Sequence, residues 1–425
     1  MSRILKIMIV LLAITAMAAP VVIAEDRLSL GGQMRVRSWH KDFDVSGEGT
    51  NTYVDQRLRI GGKLSVAEGV SITFRTDITE TQWGNGGSEY GSGRGGASQQ
   101  WDRAHLDLDL GDFHVRVGQQ YVGYGLAQTI NSQDAGIKVS YNDFSAFLLL
   151  DDQNGDSNAL AAGNNADSFL FGANYGHKGD NYKANVFFGA QNDSHPGIVD
   201  FGTGTLDEAD EELVYMIGVD LVYNLDAFKI QGEFNYFTGD ASSETDAFGT
   251  QLMLDVGFAA SETLTVGGQF YYAAGDDEDR QYTYLGNDFN GYDPLFDVGT
   301  SLSNEQIGAQ RPFDLAKSLI GLGIGVSPEA ETLGGNTSTG VVGGRLYTNF
   351  KATDAIDLGA SVAYMTPEED KYFKDFDSVM FYAVSASYAV MSNTSLQAQV
   401  QYVDADVKQD VDSAFLTGVG LFVNF

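Results

Sequence analysis

The sequence predicts an all-β fold, a transmembrane antiparallel β-barrel of about eighteen strands, with sixteen as the alternative count. Three observations carry that prediction. Apolar and polar residues alternate in one run after another, the connections between runs are alternately short and long, and nothing beyond residue 24 is apolar for the roughly 18 residues a membrane helix needs. Successive residues of a strand point to opposite faces, so alternation gives each strand one apolar and one polar side. A barrel built this way turns one side to lipid and the other to an interior, and it closes because lipid leaves no hydrogen-bond partner for an open sheet edge.

Composition narrows the classes further. The 425 residues hold 58 Asp and Glu against 25 Lys and Arg, for a formal charge of −33, with 51 glycines, 6 prolines and no cysteine. Without cysteine, disulfide scaffolds and thiolate-ligated zinc or iron–sulfur sites are excluded. The negative charge argues against nucleic-acid phosphates as partners. A chain that is 43% hydrophobic and 12% aromatic has too much to bury to remain disordered.

The chain opens with Ser2-Arg3-Ile4-Leu5-Lys6, a short basic start, followed by an apolar run from Ile7 to Ala19 and the small or aliphatic Val22-Ile23-Ala24. This pattern predicts a secretory signal peptide over 1–24, cut before Glu25, with the barrel occupying 25–425. An uncleaved membrane anchor is the alternative reading of the same run.

The strands follow in order. Alternation marks them near 27–39, 53–66, 70–78, 101–110, 113–117, 134–141, 144–151, 167–177, 181–191, 213–225, 227–239, 247–259, 263–274, 339–351, 356–366, 378–391, 394–404 and 413–425. Leu106-Asp107-Leu108-Asp109-Leu110 shows the alternation plainly, and Gly111-Asp112 then supplies a two-residue hairpin turn to Phe113. Other short connections are Ala67-Glu68-Gly69, Asn142-Asp143, Asp226, Ser261-Glu262 and Ser392-Asn393. Longer loops, expected to be polar, alternate with them at 40–52, 84–100, 122–133, 152–166, 192–212, 240–246, 275–338, 367–377 and 405–412. Short periplasmic turns and long extracellular loops are the expected arrangement.

At the chain end Val419, Leu421, Val423 and Phe425 form one apolar face that finishes on an aromatic residue. Here the chain resembles Gram-negative bacterial outer-membrane porins, whose last strand ends in Phe and is read by the barrel assembly machinery. Arg57-Leu58-Arg59, Asp102-Arg103-Ala104-His105-Leu106-Asp107-Leu108, Val117-Gly118-Gln119-Gln120 and Tyr124-Gly125 are similar to the early strands of porin-type channels, including the alginate-export-like group. The resemblance implies a water-filled channel for passive diffusion of small hydrophilic solutes and ions in the cell outer membrane. The partners implied are outer-membrane lipid and lipopolysaccharide, the assembly machinery and the solutes, with a homotrimer as an allowed assembly and no cofactor.

A lipid-facing Lys or Arg at mid-membrane costs roughly 2 to 4 kcal/mol, so charged alternates are expected inside. That rule places Arg35, Arg37, Arg57, Arg59, Lys63, Arg75, Arg103, Arg116 and Lys138 on the inner face, with Leu30, Met34, Val36, Leu58 and Ile60 outside. Nine of the twelve arginines beyond residue 24 lie at or before Arg116. They would form a basic wall facing later strands lined by Asp220, Glu233, Asp255, Gln269, Tyr271, Gln397, Gln399 and Gln401. Two readings stand: a ladder that selects anionic solutes such as acid sugars, or wall charges that neutralise Asp55, Asp77, Asp107 and Asp109.

The segment 275–338 is the expected constriction, because loops beyond about 15 residues are usually functional or disordered. It opens on Asp276, Asp277, Glu278 and Asp279 and carries an amphipathic piece around Phe313, Asp314 and Lys317 that would fold into the mouth or cover a neighbouring subunit. The acidic runs at 207–212, 276–279 and 368–370 offer hard oxygen ligands but no turn to converge them, so no metal site is expected. The five histidines, His40, His105, His114, His177 and His195, have no metal-ligand spacing, and no G-x-S-x-G motif is present. A barrel hydrolase is the low-weight alternative. Trp39, Trp83, Tyr121, Tyr141, Phe144, Tyr175, Tyr223, Phe228, Phe258, Tyr272, Phe350 and Tyr364 fall near strand ends and are expected to form the interfacial aromatic girdles.

Overall fold

The structure, a computed structural model, describes residues 27–43, 50–83, 100–127, 129–152, 168–195, 210–242, 245–274, 281–282, 341–366, 368, 376–407 and 413–425. The expected signal peptide and nearly all of 275–338 lie outside these residues.

Eighteen long strands form one closed antiparallel barrel. They are β1 (Leu28–Phe43), β2 (Asn51–Ala67), β3 (Val70–Gln82), β4 (Gln100–Leu110), β5 (Phe113–Gly123), β6 (Asn131–Tyr141), β7 (Phe144–Asp152), β8 (Ser168–Lys178) and β9 (Tyr182–His195). The series continues with β10 (Asp210–Leu225), β11 (Phe228–Ser242), β12 (Thr245–Ala259) and β13 (Leu264–Ala273). A two-residue β14 (Gln281–Tyr282) pairs in parallel with β12 beyond the barrel wall. The wall resumes with β15 (Val341–Thr353), β16 (Ile356–Thr366), β17 (Phe376–Met391), β18 (Thr394–Val407) and β19 (Ser413–Asn424).

Each barrel strand pairs with its sequence neighbour, and β19 returns to pair with β1 from Gln33↔Asn424 to Phe43↔Ala414. No edge is left open, which is the condition for a sheet surrounded by hydrocarbon. The short turns use residues that reach left-handed backbone at little cost: Gly69 (φ 70), Gly111 (φ 68), Asn142 (φ 49) and Asp226 (φ 48).

Several strands run past the point where hydrophobic alternation stops. β1 continues to Phe43, β9 to His195 and β11 to Ser242. Beyond the apolar band both faces meet water, so the side-chain pattern fades while the backbone ladder continues to satisfy its own groups.

The outer face is apolar. Leu30, Ile137, Leu148, Val186, Ile217, Leu221, Leu254, Leu346, Val384 and Leu421 all project from the wall. So do Trp83, Tyr141, Phe144, Tyr175, Phe228, Phe258, Phe350 and Tyr364, at positions near the strand ends. Trp39 departs from its expected place in the girdle. It is 3% exposed and points inward, packed with Leu416 and Phe422 and against Tyr53. Its indole Nε1–H donates to Asp55 Oδ2 at 3.1 Å, a partner that only the inner face offers.

A β-bulge in β4 re-aims another pair. Arg75 faces Arg103 and Thr76 faces Trp101, leaving Asp102 as the extra residue. Strict alternation would send Asp102 outward with Ala104 and Leu106. The bulge instead buries Asp102, turns Trp101 out to 49% exposure, and brings the Asp102 carboxylate to the Arg75 guanidinium.

Candidate functional site

The first five strands carry Arg35, Arg37, Arg57, Arg59, Arg75, Arg103 and Arg116, and the structure turns them inward. Arg37 donates Nε to Asp55 Oδ1 at 2.8 Å and Nη2 to Asp55 Oδ2 at 2.9 Å. Arg59 holds Asp77 in the same two-bond fashion at 2.6 and 3.0 Å. Arg75 pairs with Asp102, and Arg116 donates to Asp107 at 2.8 Å. The forked contacts of Arg37 and Arg59 fix those guanidinium groups in register, because their planar donors match the carboxylate. Arg35 is only 5% exposed and lies across the strands from Arg57, whose Nη2 donates to Gln33 Oε1 at 3.1 Å. The Arg103 guanidinium lies 5.6 Å from the Tyr121 ring centre. Lys63 is exposed near the short-turn end, and Lys138 places its ammonium 5.4 Å from the Tyr124 ring centre.

His105 and His114 meet at one carboxylate. His105 Nδ1 and His114 Nε2 each lie 3.2 Å from Asp107, which also accepts from Thr73 at 3.0 Å. His114 Nδ1 reaches Asp109 Oδ1 at 2.7 Å. Among the described residues, no group of three or more His, Asp or Glu side chains is arranged to hold a metal ion.

The opposite wall is less acidic than parity in the sequence suggested. Arg345 on β15 points inward, its Nη1 directed at Gln269 Oε1 at 3.5 Å and its guanidinium 5.4 Å from the Tyr347 ring centre. It obeys the same parity rule as the early arginines, being flanked by Gly344 and the outward Leu346, and the sequence reading missed it. Asp255 there accepts from Tyr347 Oη at 3.0 Å and Gln231 Nε2 at 3.2 Å, and Asp220 accepts from Asn185 at 2.6 Å. Gln397, Gln399 and Gln401 share the inner face of β18.

Among the described residues, the element that enters the lumen is the connection between β5 and β6, of which 124–127 and 129–130 are described. A polar outer loop is expected here, but its described residues are mostly apolar, with Tyr124, Thr129 and Ile130 buried and Leu126 and Ala127 half-buried. Tyr124 is 4% exposed, and Ile130 packs beside it with Val122, Phe147, Leu149, Leu170, Phe187, Val214, Met216, Phe237 and Ala247 in one cluster inside the wall from β5 to β12. The loop holds its own shape through Tyr124 N–H to the Ile130 carbonyl at 3.1 Å and Ala127 N–H to the Tyr124 carbonyl at 2.9 Å. Gly125 and Ala127 take φ of 62° and 58°. Its far contacts are polar: Leu126 N–H donates to Glu233 Oε2 at 2.5 Å, Asn235 Nδ2 donates to Thr129 Oγ1 at 2.8 Å, and Thr129 Oγ1 donates to Gln251 Oε1 at 3.3 Å. Ser145 donates to the Tyr124 hydroxyl at 3.1 Å, and burial pushes that phenol up to about 12. The available sequence signal was the apolar content of Tyr124, Leu126, Ala127 and Ile130 in a segment that water would otherwise surround.

The expected constriction residues Asp276, Asp277, Glu278, Asp279, Phe313, Asp314 and Lys317 lie outside the described residues. The C-terminal residues are described. Val419 and Leu421 face outward, Val423 pairs with Met34, and Phe425 is 60% exposed. The Phe425 backbone exchanges hydrogen bonds with Gly32 at 2.7 and 3.0 Å.

This barrel superimposes on solved structures. With Pseudomonas aeruginosa OccK9 (OpdG) the chain shares 10% identity over 94% of its length and 98% of that chain, with a TM-score of 0.57. With Acinetobacter baumannii OccAB1 the values are 13%, 95%, 97% and 0.56, and with Pseudomonas aeruginosa OccK11 (OpdR) 9%, 94%, 95% and 0.56. The fold is that of outer-membrane channels. No family model and no curated protein matches the chain by sequence. At these identities the likeness speaks for the fold, and the residues of the lumen have to be argued from their own geometry.

Proposed function

We propose that the chain is a porin of the outer membrane that passes small hydrophilic solutes and ions by diffusion, and that it prefers anionic ones. The observation that carries this reading is the 124–130 loop. Docked on Glu233, Asn235 and Gln251, it fills the lumen along the β5–β12 side with apolar side chains. The remaining passage runs beside β1 to β5, whose inner face presents Arg35, Arg37, Arg57, Arg59, Lys63, Arg75, Arg103 and Arg116.

Pairing tempers this field without erasing it. Asp55, Asp77, Asp102 and Asp107 each engage an arginine, and Arg35, Arg57 and Arg103 are further cations on the same inner face. A fixed positive wall in a narrow, low-dielectric passage raises the local concentration of anions. Carboxylate-bearing sugars and similar small acids fit such a path, because their hydroxyls tolerate a polar wall and their charge is attracted by it. Diffusion needs no energy source and no catalytic group, and the structural likeness to channels supports transport over hydrolysis. Through its outward apolar band the barrel meets outer-membrane lipid, and its last strand, ending in Phe425, is the segment offered to the assembly machinery.

The experiment is a reversal-potential measurement on the purified protein in planar bilayers under a salt gradient. Anion preference supports the reading, and cation preference removes the arginine wall as the filter.

A further inference from the structure

The dock of the inward loop holds two carboxylates that face each other. Asp220 on β10 lies directly across from Glu233 on β11, and the two are 4% and 2% exposed. Like charges opposite one another destabilise a sheet, and taking them out of water adds to the cost. Among the described residues neither carboxylate forms an ion pair with a lysine or arginine. Lys183 shares this inner face on β9, but it is exposed.

The partners they do have are neutral. Asn185 Nδ2 donates to Asp220 Oδ1 at 2.6 Å, Asn235 Nδ2 to Glu233 Oε1 at 2.9 Å, and the Leu126 N–H to Glu233 Oε2 at 2.5 Å. Two buried oxygens remain without a donor, Asp220 Oδ2 and Asn235 Oδ1. Asn235 is 1% exposed and pairs across with Gly218, the inward residue of β10 next to Asp220. A Cβ on Gly218 would collide with Asn235 Oδ1, so this amide oxygen reaches over β10 toward the carboxylate row. Both orphaned atoms are oxygens, and a positive group is what such a set attracts. A proton shared by the carboxylates would serve one of them. A divalent cation neutralises both charges and can draw on both oxygens.

We propose that Asp220, Glu233 and Asn235 form a site for a hard divalent cation of the Ca²⁺ and Mg²⁺ class, and that the bound ion locks the 124–130 loop in the lumen. Carboxylate and amide oxygens are the ligands such ions prefer. Glu233 belongs to the site and also anchors Leu126, while Asn235 also donates to Thr129, so ion binding and loop docking favour each other. The lock rests on the reading of this loop as the constriction, whereas the site itself does not.

The test uses the full chain, freed of divalent ions with EDTA and titrated with CaCl₂. Calorimetry in detergent should show a component of one Ca²⁺ per chain, half-saturated at roughly 0.1 to 1 mM, the weak end of oxygen-ligand sites. Asp220→Asn keeps the side-chain size and should raise that concentration about tenfold, the scale of one lost charged contact. In planar bilayers EDTA should raise single-channel conductance and open-channel noise, and Ca²⁺ should reverse both in wild type but not in Asp220→Asn. The wild-type titration stands alone should the variant fail to fold. Equal uptake in wild type and Asp220→Asn assigns the ion to the acidic surface runs and overturns the site. A loop that responds to pH but not to Ca²⁺ also overturns it, in favour of a shared proton. Uptake weakened by Asp220→Asn together with a conductance indifferent to Ca²⁺ supports the site and overturns the loop as the constriction.

Discussion

The backbone N–H of Leu126 donates to Glu233 Oε2 at 2.5 Å, joining a loop between β5 and β6 to the inner face of β11. Glu233 is 2% exposed, and its other oxygen accepts from Asn235 Nδ2 at 2.9 Å. This contact anchors the inward loop to a strand far from its own. Glu233→Ala removes the acceptor and leaves the Leu126 N–H buried without one, a penalty of about 1 to 3 kcal/mol. The loop then leaves the lumen part of the time. Single-channel conductance should rise and open-channel noise increase; an unchanged conductance would separate this loop from the constriction.

Gly125 offers a second handle on the same loop. Its φ of +62° disfavours any side chain, and a Cβ there would lie 2.5 Å from Glu233 Oε2 and 2.8 Å from the Phe187 ring. Gly125→Val should displace the loop more completely than Glu233→Ala, because it adds a steric conflict as well as backbone strain of about 1 to 2 kcal/mol. The prediction is a larger mean conductance with the barrel intact, judged by heat-modifiable migration on electrophoresis.

The Arg59–Asp77 pair makes a signed prediction about selectivity. Asp77→Asn keeps a hydrogen-bond acceptor beside Arg59 while deleting its negative charge, so the wall becomes more positive. The reversal potential should move toward greater anion preference, and Arg59→Gln should move it the other way. Both shifts should shrink at high salt, since a Debye length of about 3 Å at 1 M screens wall charges. Equal potentials in the two variants would mean that this pair lies off the conducting path.

Trp39 joins the basic wall to the last strand. Trp39→Ala empties the space beside Leu416 and Phe422 and takes a donor from Asp55. Large-to-small changes of this kind cost about 3 to 5 kcal/mol, so the variant should unfold in detergent at lower denaturant concentration than wild type. A neighbouring outward change, Trp83→Ala, should cost far less by the same measurement, because Trp83 is exposed on the wall.

Phe425 seats its ring against Gly32 and pairs its backbone with the same residue. Gly32→Val would force that ring away and strain the seam between β19 and β1. A lower yield of folded barrel from membranes is expected for Gly32→Val and for deletion of Phe425. Full yield in both would show that the seam closes without this contact.

What the sequence alone determined was the barrel and its two faces. Alternation in runs such as Val70 to Asp77 and Leu106 to Leu110 decides which side chains meet lipid, because strand geometry has period two and a misplaced charge is expensive in hydrocarbon. The inward direction of Arg35, Arg57, Arg59, Arg116 and Arg345 follows from that rule. Alternation is a local property, and it says nothing about residues that meet across the lumen. The tertiary structure decided the rest. A bulge at Asp102 broke the parity and gave Arg75 its carboxylate, and Asp55, Leu416 and Phe422 became the partners of Trp39, whose inward side follows from its parity with Arg35 and Arg37. The loop 124–130 entered the channel because Glu233, Asn235 and Gln251, more than a hundred residues away, form its dock. Closing the sheet brings these groups within hydrogen-bond distance, and burial then decides which connection fills the lumen.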